Sequence, residues 1–156
     1  MTIARSLQDY LHDHGVAFDV IQHDYAPSSA RTAAAAHLPG DRLAKSVLLE
    51  DDRGYLVAVV PSTHRVDIGR LGRALDRRLG LATEDEVEEV FKDCVTGAIP
   101  PLGAVYGIET VLDDSLAAQP EIYFEAGDHE ELIRVSAQQF ARLMTGSRRA
   151  RFSHHT

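Results

Sequence analysis

One cysteine, two lysines and no long apolar run set the first limits on this 156-residue chain. Cys94 alone excludes an internal disulfide and a cysteine-based zinc cluster. The apolar runs fall far short of the roughly 18 residues a membrane span requires. The opening residues Met1 to Ser6 hold no secretory apolar core and lead into an amphipathic stretch with Asp9 and Asp13. A soluble, cytoplasmic protein without a membrane partner is the expectation. A net charge of −8 argues against tight, sequence-independent binding along a duplex such as DNA. It is compatible with recognition of a single terminal nucleotide.

Several catalytic signatures are missing too. There is no Gly-x-Ser-x-Gly elbow, no Gly-Lys-Ser/Thr phosphate loop and no dinucleotide-binding glycine pattern. Eight histidines invite a metal reading, but no His-Glu-x-x-His occurs. His12 and His14 are two apart on a helix and do not face together. No metal and no cofactor is expected; a metal hydrolase is the remote alternative. Cys94 has no base near it in sequence and reads as a small, half-buried apolar residue.

What is present has the composition of one compact domain, 44% hydrophobic. Its expected extent is 1–147, followed by a basic, flexible tail over 148–156 that opens with Arg148-Arg149-Ala150-Arg151. Ile3, Leu7, Tyr10 and Leu11 at helical spacing predict a helix from Thr2 to His14, closed by Gly15. Val16, Phe18 and Val20 alternate as a strand to His23, and an alanine-rich helix follows from Ala30 to Leu38, stopped by Pro39-Gly40. Leu43–Glu50 and Tyr55–Pro61 flank Asp51-Asp52-Arg53-Gly54, a hairpin signal. Asp67 caps a helix carrying Ile68, Leu71, Leu75 and Leu79 up to Gly80, and Thr83…Glu86 is a capping box for a helix to Phe91. Strands are expected around Val105–Ile108, Thr110–Leu112, Glu121–Glu125 and Leu132–Val135, then a helix from Ser136 to Met144. Strands and helices interleave without strict alternation, so the fold class is α/β or α+β with a mixed sheet.

Lys45 is the anomaly. It stands in Leu43-Ala44-Lys45-Ser46-Val47-Leu48-Leu49 and shares a strand face with Val47 and Leu49. An ammonium there needs a partner or a ligand, or its stem must pack on apolar surface while its head reaches water. Three other segments are candidates to join it: Ser62-Thr63-His64 after the second hairpin strand, the rigid loop Gly97-Ala98-Ile99-Pro100-Pro101-Leu102-Gly103, and Gly127-Asp128-His129. His64 and His129 each have an ordinary alternative as surface or hydrogen-bonded histidines. Together these segments would make a pocket with one fixed cation and loop amides, suited to an anionic or ester-bearing ligand.

The order helix, strand, helix, lysine-bearing strand, then Gly-Ala-Ile-Pro-Pro-Leu-Gly, then Gly127-Asp128-His129 resembles the YbaK/ProX family over about Ile3 to Met144. Its members are aminoacyl-tRNA deacylases related to the editing domain of bacterial prolyl-tRNA synthetases. The resemblance implies a mixed, barrel-like sheet surrounded by helices and free-standing hydrolysis of mischarged tRNA. It places Lys45, Gly97 and Ala98 at the reacting ester. Ser46, Ser62, His64, Ile99, Pro101, Gly103, Gly127, Asp128 and His129 would surround the substrate. Lys45 would hold the tRNA 3′ end, and the amides of Gly97 or Ala98 the ester carbonyl or its oxyanion. Ala98 stands where the family has a second glycine, and its methyl narrows the pocket toward a small amino acid such as alanine, cysteine or serine. The implied partner is the 3′ end of an aminoacyl-tRNA, with a synthetase as a second. The alternative is a non-catalytic module that binds an aminoacyl or nucleotide end beside a synthetase.

Overall fold

The computed structural model describes residues 3–26, 29–95 and 98–156. Its first elements are α1 (Arg5–Asp13), β1 (Asp19–Gln22) and α2 (Ser29–Ala35), then the hairpin β2 (Leu43–Asp51) and β3 (Gly54–Pro61). β4 (His64–Val66), α3 (Ile68–Leu75), β5 (Gly80–Leu81) and α4 (Glu84–Val90) follow. The remainder is β6 (Glu109–Asp113), α5 (Asp114–Ala117), β7 (Glu121–Glu125), β8 (Glu131–Ser136), α6 (Ala137–Leu143), β9 (Arg148–Ala150) and β10 (Ser153–His155).

The main sheet runs β1-β8-β7-β2-β3-β6-β9, with β5 also on β2, while β4 and β10 form a separate pair. β2–β3, β7–β8 and β1–β8 are antiparallel, whereas β2–β7, β3–β6 and β6–β9 are parallel. The sheet is mixed as expected but open: β1 and β9 stand at its two ends. None of the helices is long and apolar enough to cross a membrane among the described residues.

Strand alternation divides the core. Ala44 and Leu48 of β2 face a cluster built with Leu7, Leu11, Phe91, Leu116, Phe124 and Phe140, covered by α1, α4, α5 and α6. The opposite face carries two clusters. One joins Leu43 to Ala33 of α2 and Leu132. The other joins Leu49, with Val47 beside it, to Leu56, Val60, Leu71 of α3 and Phe152. Lys45 lies between them on that row, where the apolar surface is interrupted.

Local signals account for most boundaries. The Asp67 side chain accepts from the Arg70 N–H, and Thr83 and Glu86 form the reciprocal capping box. Ser136 accepts from the Gln139 N–H and opens α6. Three expectations need correction. Residues Val105–Ile108 are not a strand: Gly103–Tyr106 is a 3-10 turn, because Leu102 and Gly103 carbonyls take the Val105 and Ile108 N–H groups. The helix from Ile68 stops at Leu75, capped by Asp76 in the left-handed region (φ 53), and Gly80 instead pairs with Glu50 of β2.

The third concerns residues 148–156, which are not a flexible tail. β9 lies parallel on β6 and β10 antiparallel on β4. Phe152 between them is fully buried, and its N–H donates to the buried Asp113 carboxylate at 2.9 Å. An apolar anchor and a hydrogen bond outweigh the local charge repulsion that composition alone registers.

Candidate functional site

Lys45 is half-buried, and its Nζ donates to the backbone carbonyl of His64 at 2.6 Å. Burial, with the Arg65 guanidinium as a lesser influence, pushes the ammonium below the usual lysine range. The His64 ring is held by Ser153 Oγ at 2.9 Å and meets the His155 ring edge-on at 5.5 Å. Burial lowers its pKa, an effect the carboxylate of Asp113 opposes. Beside them Ser62 Oγ donates to the Gly40 carbonyl at 2.7 Å. A cavity of about 330 Å³ is lined by Ala33, Gly40, Ser62, Thr63, His155 and Thr156. The structure thus brings Lys45, Ser62 and His64 to one side of the sheet.

Ser46 points the other way and donates from Oγ to the Ile99 carbonyl at 3.3 Å. The glycine-proline loop therefore rests on the face opposite the Lys45 stem. Gly97 lies outside the described residues. Ala98 is fully buried, and its N–H donates to the Val95 carbonyl at 3.0 Å. To serve as an oxyanion donor that amide must exchange its present partner. Pro101 is buried. Gly103 donates to Thr110 Oγ1 at 3.0 Å, and a Cβ there would sit 2.6 Å from the Ile108 carbonyl oxygen, so close packing requires glycine.

The third segment meets the loop from its other end. The Val95 N–H donates to the Gly127 carbonyl at 2.7 Å. Gly127 adopts φ 106, and a Cβ would lie 2.9 Å from that of Ala4. Asp128 organises the turn, its Oδ1 accepting from the Glu130 and Glu131 N–H groups at 3.0 and 2.9 Å. His129 is buried at φ 62, edge-on to Tyr25 with ring centroids 5.5 Å apart.

The sequence reading missed Glu125. It closes β7 with only 2% of its surface exposed, and neither carboxyl oxygen has a hydrogen-bond partner. The β2–β7 register pairs Leu43 with Tyr123 and Ala44 with Phe124, so its continuation sets Glu125 beside Lys45. Leu43 and Tyr123 pack in the same cluster, which puts Lys45 and Glu125 on one face. Burial pushes the Glu125 carboxyl up to about 7, and the Asp128 carboxylate adds to the rise. The buried Thr32 hydroxyl opposes it without a well-formed hydrogen bond. The available signal was Thr32, the lone polar residue in Thr32-Ala33-Ala34-Ala35-Ala36.

A second polar cluster lies away from this face. Tyr106 Oη donates to Asp93 Oδ1 at 2.7 Å, and Ser6 Oγ donates to Asp93 Oδ2 at 2.5 Å. Cys94 sits 3.2 Å from Tyr106 Oη, and burial pushes its thiol up to about 12. Such a thiol is inert as a nucleophile near neutral pH. Among the described residues no group of three His, Cys, Asp or Glu could hold a metal ion.

The family model for the aminoacyl-tRNA editing domain matches residues 23–143. No curated relative matches the chain significantly. Among solved structures, a candidate trans-editing enzyme for prolyl-tRNA synthetase superposes with a TM-score of 0.84 at 25% identity, covering 97% of this chain and 96% of that one. The hypothetical protein APE2540 gives 0.85 at 20% identity over 96% and 100% of the two chains. A candidate signal-transduction protein from Marinobacter aquaeolei VT8 gives 0.77 at 22% identity, covering 95% of this chain and 30% of that one. The last two show a shared fold alone.

Proposed function

Since the chain belongs to the aminoacyl-tRNA editing domain family, we propose that it is a trans-editing deacylase, hydrolysing the ester between a small amino acid and the 3′ end of a mischarged tRNA. The observation that carries this reading is Lys45, the cation that interrupts the apolar row between the α2 and α3 clusters. Its ammonium is partly desolvated, and its hydrogen bond goes to the backbone carbonyl of His64 rather than to a carboxylate.

The reaction asks little of the protein. An aminoacyl ester is already activated, so a positioned water, a donor for the developing oxyanion and a held terminus suffice. Water attacks the carbonyl carbon, the bond to the ribose oxygen breaks, and that oxygen leaves with a proton as the free hydroxyl. Lys45 serves as a point charge for the terminal nucleotide. Ala98 is fully buried at the loop, and a methyl where the related loop carries glycine is the reason for assigning the preference to alanine-sized side chains. The binding-only reading has one observation in its favour: the Ala98 amide is already committed to Val95.

A deacylation panel over tRNAs mischarged with alanine, serine and cysteine, run for wild type and Lys45→Ala, separates the two. The expected result is hydrolysis of a small-residue ester by wild type and its loss by at least tenfold in Lys45→Ala, the scale of a lost charged contact. Wild-type rates equal to buffer on every substrate refute the enzyme. Unchanged hydrolysis in Lys45→Ala refutes the role of the lysine.

A further inference from the structure

The arginines are not spread evenly. Residues 64–81 carry five arginines and two aspartates, and residues 144–156 carry three arginines and no acidic side chain. Those 31 residues hold a formal +6 in a chain of net −8, which leaves −14 on the remainder. The fold joins the two segments. β10 pairs with β4, setting His154 against Arg65, and the Asp67 N–H donates to the Phe152 carbonyl at 2.7 Å. Val66, Ile68, Leu71 and Leu75 share one apolar cluster with Ala150 and Phe152. Two stretches separated by sixty-odd residues of mostly acidic sequence therefore form one basic face.

Several of these charges are already answered. Arg77 is held by Asp51 through two contacts of 2.7 Å, Arg148 lies 3.6 Å from Glu109, and Arg149 lies 3.6 Å from Asp114. The depression of about 890 Å³ beside α3 mixes Arg53, Arg73, Arg77 and Arg78 with Asp51, Asp52 and Asp76, so most but not all of its positive charge is offset. Arg65, Arg70, Arg73, Arg78 and Arg151 are exposed and make no ion pair among the described residues. Exposed, unpaired guanidiniums on a rigid surface suit phosphate oxygens in geometry and charge.

The face is also continuous with the site. β4 presents the His64 carbonyl to Lys45 and Arg65 to the outside, and the Arg65 charge is felt at Lys45. We propose that α3 and the β4–β10 pair form the docking surface for the acceptor-stem phosphates of tRNA, with the stem running from Lys45 across Arg65, Arg70, Arg73 and Arg151. This rests on the deacylase reading for the position of the 3′ end. The acidic remainder repels RNA elsewhere and so fixes the orientation of the encounter. A net acidic protein can thereby bind a polyanion, because the local field and not the sum decides.

The test compares three sets: Arg70→Gln/Arg73→Gln/Arg151→Gln, the charge-keeping Arg70→Lys/Arg73→Lys/Arg151→Lys, and a control on other surfaces, Arg5→Gln/Arg142→Gln. An acceptor-stem RNA hairpin is titrated at several salt concentrations, and kcat and KM are measured on mischarged tRNA. The glutamine set is expected to bind the hairpin on the order of tenfold more weakly, with a salt slope smaller by roughly two to three. Its KM rises while kcat holds, and the lysine and control sets stay near wild type. Hairpin affinity and KM unchanged in the glutamine set overturn the surface while leaving the enzyme intact. Hairpin binding lost in the glutamine set, from a wild type that hydrolyses nothing, keeps the surface and removes the enzyme. Equal loss in the control set, or tighter binding to anionic vesicles than to RNA, overturns the assignment.

Discussion

Replacing Glu125 by glutamine should stabilise the protein at neutral and higher pH and leave it nearly unchanged in mild acid. The carboxyl is 2% exposed, lacks a hydrogen-bond partner, and is pushed from its usual 4.5 to about 7. That rise corresponds to on the order of 3 kcal/mol against the ionised form. In the unfolded chain the group loses its proton near 4.5, whereas the folded state keeps it until about 7. Between these values the native state binds more protons, so stability falls as pH rises and the full penalty is present above about 7. Glutamine has nearly the same shape and no charge to bury. At about pH 8 the variant should therefore gain up to roughly 3 kcal/mol, or about 6 to 12 °C in Tm for a chain of this size, with little gain at about pH 5. Urea and thermal unfolding of both proteins across that range measure the difference directly. His64 also titrates differently when folded, but it is common to both proteins and cancels in the comparison. Parallel stability curves for the two proteins, or a variant less stable at high pH, would refute the claim that Glu125 is buried and uncompensated.

Two further perturbations probe the frame around the site. Gly103→Ala places a methyl against Thr110 Oγ1 and 2.6 Å from the Ile108 carbonyl oxygen, and should cost about 2 to 3 kcal/mol as overpacking, read as a lower urea midpoint with unchanged slope; an unchanged midpoint means the turn is looser than described. Phe152→Ala empties a fully buried position that ties β9 and β10 to α3 and should cost about 3 to 5 kcal/mol. A loss below 1 kcal/mol in equilibrium denaturation would return residues 148–156 to the status of a loose tail.

Elements governed by local chemistry were readable in advance. The β2–β3 hairpin follows from two apolar runs around Asp51-Asp52-Arg53-Gly54, and the starts of α3, α4 and α6 from Asp67, Thr83 and Ser136, whose side chains do accept the expected N–H groups. Elements governed by distant partners were not. Val105–Ile108 holds the strand formers valine, tyrosine and isoleucine, yet its neighbours Leu102 and Gly103 take the Val105 and Ile108 N–H groups into a turn packed on Thr110 and Val57. Residues 148–156 look solvated because arginine and histidine dominate them, and only the seat of Phe152 among Leu71, Val60 and Val111 reveals two strands. A periodicity of three residues carries too little signal to show such pairing.

The site divides along the same line. Lys45 announced itself, since a charge inside an apolar run is visible without any partner. Its neighbours on the sheet were not visible, because parallel pairing of β2 with β7 joins Leu43 to Tyr123 and Ala44 to Phe124, far apart in the chain. That pairing turns Glu125 from an unremarked strand end into a buried carboxyl beside the lysine. It also separates residues that look adjacent: Lys45 and Ser46 are consecutive, yet one reaches the His64 carbonyl and the other the Ile99 carbonyl on the opposite face. A single strand thus touches both candidate halves of the site, a cationic side facing β4 and a loop side facing Ile99. The β7–β8 turn borders the loop side, where the Gly127 carbonyl accepts from the Val95 N–H and Asp128 orders the backbone. A Ser46→Ala variant should therefore disturb the loop side and leave the Lys45 contact to the His64 carbonyl intact, and Lys45→Ala the reverse, read as separate effects on thermal unfolding that add in the double variant.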